Sequence, residues 1–306
     1  MGKPRFGLIG TGVWARDIQA PVARASADVD FTAIFGRNAL KATAFAAPFG
    51  VKPYSDLGAF LDSVDLVGIC VPPDVQPQLA MAAARAGKPV LLEKPVARDV
   101  AAAEAIAQEF GERGLPAAVF FTQLYMPRIK AWADDAAATG GWIAARIDTY
   151  SRVLVDPGNP FHVTAATWRR EAGALWDTGP HAVALLLTVL GEVVEVVATR
   201  GRGDLKVLTL THASGAVSTI TLTMDAPANV SGETALFGAA GKNVLGPSPN
   251  FDAEAAEAYS EALRLLAAAA GGEPVTYPDA ALGLAVTRIL AAAERSLATG
   301  RRVTLG

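Results

Sequence analysis

The sequence predicts an α/β protein of two domains: a parallel sheet covered by helices on both faces, followed by an α+β domain with a mostly antiparallel open sheet. Three observations predict it. From residue 5 to about residue 120, short β-rich runs alternate with alanine-rich helical stretches, the pattern of successive βαβ units. After Pro127 the alternating segments lengthen and follow one another across glycine-containing turns. The length of 306 residues suits two domains at roughly 150 residues each.

In the first domain the expected strands cover residues 5–9, 30–35, 66–71, 89–92 and 117–121. Helices are expected to begin near Val13, Ala39, Gln76 and Asp99. Asp99 stands where a carboxylate caps a helix N-terminus, and Gly87 fits the C-terminal stop of the helix before it. In the second domain a helix over 128–139 leads into an alternating segment, 143–155. A helix from around Asp177 precedes strands over 193–202, 205–212, 216–224 and 233–237, and helices over 254–270 and 278–298 close the chain. The expected division is 1–122 and 123–306.

Composition excludes several classes. The 51% hydrophobic share rests largely on alanine, and no uncharged apolar run reaches the roughly 18–20 residues that cross a bilayer. The charged start, Met1 to Arg5, is followed by an apolar run broken at Gly10 and Gly12, so it reads as a strand rather than a signal peptide. A net charge of −3 with scattered basic residues leaves no footprint for nucleic acid. Cys70, the one cysteine, reads as a small buried hydrophobe and leaves no internal disulfide, which suits a reducing cytoplasm. His162, His181 and His212 have no second ligand at metal spacing, so no metal is expected.

Gly10, Thr11, Gly12, Val13, Trp14 and Ala15 follow a strand and open a helix, the setting of a dinucleotide fingerprint. Gly10 permits the tight turn, Gly12 lets backbone approach a pyrophosphate, and Ala15 allows close helix–strand packing. The first domain is therefore expected to be a Rossmann domain, with the phosphates at a helix N-terminus. Where an acid would bond the ribose 2′-hydroxyl of NAD, the second strand ends in Gly36, Arg37 and Asn38. NADP(H) is therefore expected over NAD(H), since Arg37 can pair with a 2′-phosphate through its planar fork. The alternative is an Arg37 that stacks on adenine with either cofactor.

Further along stand Val71, Pro72, Pro73 and Asp74, then Glu93, Lys94 and Pro95, then the run from Gly173 to His181 that holds Trp176, Asp177 and Pro180. Together with the fingerprint these segments resemble the Gfo/Idh/MocA family, named for glucose–fructose oxidoreductase and inositol dehydrogenase. The resemblance covers nearly the whole chain. It implies a Rossmann domain followed by an α/β domain whose open sheet makes subunit contacts. It also implies a cis bond before Pro95, cofactor contacts from Val71, Pro72, Pro73, Glu93 and Lys94, and catalysis by Lys94, Asp177 and His181.

Residue chemistry gives a parallel reading. Asp177 and His181 are four positions apart, which is one helical face, and histidine titrates near neutrality as a general base must. Lys94 can hydrogen-bond the reacting oxygen and stabilise its developing charge. Tyr125, His162, Trp168 and Arg169 are candidates for the substrate pocket; a loop charge and a buried aromatic account for the last two as well. The run Phe121 to Pro127 and Trp176 beside Asp177 suggest a pocket less polar than a pure sugar site. The expected function is hydride transfer between a nicotinamide and a hydroxyl-bearing carbon of a small sugar, polyol or cyclic alcohol, by a homodimer or homotetramer. The alternatives are a catalytically silent nucleotide-binding regulator and a reductase of an enone, imine or hydroaromatic diol.

Overall fold

The computed structural model describes residues 2–159, 161–162, 168–230, 232–246, 248 and 250–306. They form two compact units: Met1–Met126 with Asn250–Leu284, and Pro127–Pro249 with Ala285–Gly306.

The first unit holds a parallel sheet of β1 (Arg5–Ile9), β2 (Asp30–Phe35), β3 (Lys52–Tyr54), β4 (Leu66–Ile69), β5 (Val90–Glu93) and β6 (Ala117–Phe120), in the order β3-β2-β1-β4-β5-β6. β4 and β6 are buried along their whole length, as strands covered on both faces must be. The connecting helices are α1 (Ala20–Ala25), α2 (Ala39–Ala46), α3 (Leu57–Ser63), α4 (Gln76–Arg85), α5 (Val100–Arg113) and the short α6 (Thr122–Tyr125). Asn38, Asp56 and Asp99 cap α2, α3 and α5 through side-chain oxygens that accept the third residue's N–H. Gly87 follows α4 with φ 68°. The helix after β1 widens into a π-turn over Ala15–Gln19, with the Ala20 N–H donating to the Ala15 carbonyl. Pro21 supplies the reason: it lacks an N–H, and its ring would crowd the Asp17 carbonyl in a regular turn.

The second unit holds α7 (Pro127–Thr139), β7 (Trp142–Tyr150), α8 (Trp168–Asp177), α9 (Gly179–Leu190), β8 (Val193–Arg200), β9 (Lys206–His212), β10 (Val217–Thr223), β11 (Thr234–Gly238) and β12 (Gly241–Leu245). β7 pairs with β10 in parallel, and the other described neighbours pair antiparallel. One face presents Ala145, Ile147, Leu208, Leu210, Ile220 and Leu222, all buried; α9 packs on β7 and β10, and α8 on β10. Val207, Val217 and Val244 lie at opposite-face positions of the register and are 37–43% exposed.

His212 is buried in this sheet, with Nδ1 3.0 Å from the Gly191 carbonyl oxygen and Nε2 2.9 Å from the Ser218 hydroxyl. Burial holds its pKa below the ordinary imidazole value of 6.5. The unfolded chain therefore binds a proton at a higher pH than the native one. This contribution to stability is complete above about pH 6.5 and is lost as pH falls from there toward the lowered native value. Thermal melts should show the melting temperature of the wild type falling between roughly pH 7 and pH 5 more steeply than that of His212→Gln. Parallel curves would refute the assignment.

The chain then returns. α10 (Phe251–Ala270) packs on α1, the π-turn, α6, β5 and β6, burying Ala255, Ala258, Tyr259, Ala262 and Leu266. α11 (Ala280–Thr299) gives residues up to Leu284 to the first unit and the rest to the second, and β13 (Val303–Thr304) pairs with β8. The expected division at residue 122 is thus corrected: the first unit runs to Met126 and reclaims Asn250–Leu284. An amphipathic pattern reveals that a helix has an apolar stripe, but not which sheet that stripe covers.

Candidate active site

In the first unit all strands point the same way, so the turns after β1, β2, β4 and β5 share one edge of the sheet, and the strand order reverses between β1 and β4. Gly10 has φ 123°, and a Cβ there would lie 2.1 Å from the Cys70 carbonyl oxygen. The constraint is local: the Gly10 N–H donates to Phe35 O and the Cys70 N–H to Ile9 O, which draws three strand ends together. Cys70 is half-buried just past β4, which corrects its expected place inside a longer strand. Gly12 is exposed, and a Cβ there would meet nothing within 4 Å, so its backbone faces open space at the start of the helix. Ala15 is fully buried. Thr11, Val13, Trp14 and Val71 are half-buried and Pro72 is exposed, whereas Pro73 is buried. The residues fit a dinucleotide: a tight turn, a bare backbone and the first N–H groups of a helix for a pyrophosphate.

A Cβ on Gly36 would lie 3.2 Å from Thr11 Cγ2 and 3.3 Å from Ala42 Cβ. A side chain at this position would press on the fingerprint turn. Thr11, Arg37, Asn38 and Lys41 line an open pocket of about 380 Å³. Asn38 uses its side-chain oxygen to accept the Lys41 N–H, which sets Lys41 in the first turn of α2 as a second cation beside this pocket. Sequence reasoning misses Lys41; the signal that could find it is its spacing of three from a capping residue.

Lys94 is half-buried just beyond β5, and the Lys94–Pro95 bond is cis, as the resemblance implies. Glu93 accepts from Gln19 Nε2 at 2.6 Å through one carboxylate oxygen. Gln19 lies in the π-turn, and neither it nor Gln76, which bonds the backbone around Lys94, is marked by any motif. Tyr125 is 2% exposed, its ring centre 5.7 Å from that of Phe120. Burial pushes its hydroxyl pKa well up, with smaller contributions from Tyr277, Asp279 and Glu261. It is a core residue, which corrects its expected place in the pocket wall.

In the second unit α8 breaks at Gly173 (φ 64°, ψ −169°), where a Cβ would lie 2.3 Å from Asp204 Oδ1. The Asp204 carboxylate accepts the N–H groups of Ala174 and Met224 and pairs with Lys206 at 2.5 Å, so it caps the turn that carries Asp177. Asp177 is buried and pairs with Arg169 at 3.2 Å; the Arg169 guanidinium lies 4.7 Å over Trp168 and 5.3 Å from the Phe161 ring centre. Thr178 keeps right-handed backbone (φ −98°, ψ −30°), so His181, at the third position of α9, follows Asp177 by about one turn. His181 is half-buried, with Nδ1 on its buried side. His162 turns its Nδ1 to the Val153 carbonyl at 2.9 Å. Trp176 is fully buried and donates to Glu294 at 2.7 Å, which corrects its expected place in an apolar pocket. Trp168, Arg169 and Asp177 are thus brought together. Among the described residues no group of three or more His, Cys, Asp or Glu side chains is placed to hold a metal, and no helix is long and apolar enough to cross a membrane.

Comparison with known proteins adds the lineage. Residues 4–121 match the model of an oxidoreductase family with an NAD-binding Rossmann fold, and residues 145–243 match the GFO/IDH/MocA C-terminal domain. The chain is 31% identical over 208 residues to the uncharacterized protein YMR315W of Saccharomyces cerevisiae (65% of this chain). It is 28% identical over 198 residues to an inositol 2-dehydrogenase of Rhizobium meliloti (64% of this chain). It spans 58% of the length of each of these relatives. A solved myo-inositol dehydrogenase from Corynebacterium glutamicum shares the fold, with a TM-score of 0.84 at 19% identity over 100% of this chain and 99% of that one.

Proposed function

This chain belongs to the Gfo/Idh/MocA oxidoreductase family, and on that premise we propose that it is a nicotinamide-dependent dehydrogenase or reductase. It moves a hydride to or from a hydroxyl-bearing carbon of a small sugar, polyol or cyclic alcohol. The observation that carries this reading is the shared sheet edge of the first unit, where the open Gly12 backbone and Lys94 both stand. Bound nicotinamide supplies or accepts the hydride. Lys94 donates a hydrogen bond to the reacting oxygen and stabilises negative charge on it. His181 takes the hydroxyl proton or returns it, and Asp177, held by Arg169, orients the imidazole or a second substrate hydroxyl. Tyr125 and Trp176 lie in the core and line no apolar pocket, which favours polar substrates. Screening sugars, polyols and cyclic diols with NADP⁺ and NAD⁺, by absorbance of the reduced nicotinamide, tests the reading. Cofactor binding without turnover of any of them would favour a regulator.

The cofactor preference is for NADP(H), supported by the absent acid at Gly36 and the cations Arg37 and Lys41 at the pocket. Arg37→Ala is expected to weaken NADPH about tenfold, the worth of one charge-assisted hydrogen bond, while NADH affinity stays within about twofold. Fluorescence titration decides it; equal affinity of the wild type for both cofactors overturns the preference. A homodimer or homotetramer is supported by Val207, Val217 and Val244 on the outer sheet face. A cytoplasmic setting rests on Cys70 standing alone.

A further inference from the structure

We propose that Gln76 is the positioning residue for Lys94, a role that rests on the reading of Lys94 as the partner of the reacting oxygen. Gln76 is fully buried at the start of α4. Its Nε2 lies 2.7 Å from the Glu93 carbonyl oxygen, 3.1 Å from that of Pro95 and 3.1 Å from that of Val96. Its Oε1 accepts the Glu93 N–H at 2.9 Å. One side-chain amide thus grips the backbone on both sides of Lys94.

The grip answers a need of the chain. β5 ends at Glu93, so the carbonyls beyond it leave the sheet ladder, yet Pro95, Val96 and Ala97 remain buried. Buried carbonyls without a donor are strongly disfavoured, and the two N–H bonds of Gln76 serve three of them by sharing. A carboxamide presents two donors and an acceptor at once, which neither a hydrophobe nor a carboxylate of the same shape can match. Gln76 is itself anchored by the turn after β4, where the N–H groups of Val75 and Gln76 both donate to the Pro72 carbonyl. The loop expected to touch the cofactor and the loop that carries Lys94 are therefore tied together by one residue. These four bonds all run to main chain, so they set where the Lys94 Cα stands.

The test pairs a structural readout with a kinetic one in the intact protein. Gln76→Met keeps the shape and removes the bonds. It should raise amide hydrogen exchange over residues 93–97 at least tenfold, leave α5 unchanged, and lower kcat by roughly 10²-fold, as a misplaced catalytic group does. Substrate KM and NADPH affinity should stay within about threefold. Gln76→Glu covers the case in which the Met variant fails to fold. Its protonated carboxyl can still donate one hydrogen bond, so its kcat relative to wild type should rise as pH falls. Wild-type exchange over 93–97 in Gln76→Met, beside an inactive Lys94→Met, overturns the role of Gln76 alone. So does raised exchange with unchanged kcat, or a Gln76→Glu profile parallel to wild type. Undiminished turnover in Lys94→Met instead overturns the reading of Lys94 and this proposal with it.

Discussion

Replacing Lys94 with Met is expected to lower kcat by about 10²–10³-fold while leaving NADPH affinity within a factor of about three. The substitution keeps the length of the side chain and removes its charge. A donor aimed at developing negative charge in a water-poor site contributes that much because its effect is confined to the transition state. His181→Asn should cost about 10²–10⁴-fold, the usual worth of a positioned proton carrier. The double variant should be little slower than the poorer single one, since groups that act on one oxygen fail as a unit. Steady-state rates on the substrate found by screening, with cofactor affinity measured separately, provide the check. Multiplicative losses would mean that the two residues act on different atoms. Near-normal turnover in both, with chemistry limiting, would remove them from catalysis.

The second large effect separates two glycines two residues apart. Gly10→Ala places a methyl group 2.1 Å from the Cys70 carbonyl oxygen at φ 123°, and the obstacle is backbone held between β1 and β4. Neither strand can retreat without breaking its ladder. The variant is expected to lose several kcal/mol and to accumulate poorly, if it folds at all. Gly12→Ala meets nothing within 4 Å and has no positive φ to forfeit. It should melt within a few degrees of the wild type yet bind NADPH at least tenfold more weakly, because its methyl occupies the space left for the pyrophosphate. Thermal melts and fluorescence titration of both variants check the pair. A Gly12→Ala protein that binds normally would refute the placement of the cofactor, whereas a stable Gly10→Ala protein would refute the account of the turn.

The same contrast separates what sequence reveals from what it hides. The strands at Arg5–Ile9 and Asp30–Phe35 are legible to the residue, because a short apolar run bounded by turn residues and followed by a helical pattern fits a buried strand and little else. β3 is not legible: three residues with a proline carry too little signal, and an edge strand tolerates that proline. The fingerprint and Arg37 are visible as residue types at known spacing. Gln76 is invisible because a polar residue between prolines at a helix start reads as solvent-exposed, and its partners are carbonyls, which no sequence pattern marks. Trp176 misleads for a geometric reason. Neighbours on a helix point about 100° apart, so adjacency to Asp177 argues against a shared pocket. Tyr125 misleads because it lies just past β6, at the end of the sheet where a pocket is expected, whereas its burial depends on α10, a helix from the far end of the chain that packs on α6.

The two-part construction of the first unit bears on the birth of the protein. A ribosome releases residues 1–126 well before Asn250–Leu284, so the nucleotide-binding sheet emerges without α10, the helix that covers β5 and β6. At bacterial to eukaryotic synthesis speeds the missing piece arrives roughly 7–30 s later. During that interval the apolar surface awaiting Tyr259, Ala262 and Leu266 is open to chaperones and to neighbouring nascent chains. The protein's yield in a cell is therefore expected to depend in part on translation speed across residues 127–249, a stretch that contributes no strand to the sheet it leaves waiting.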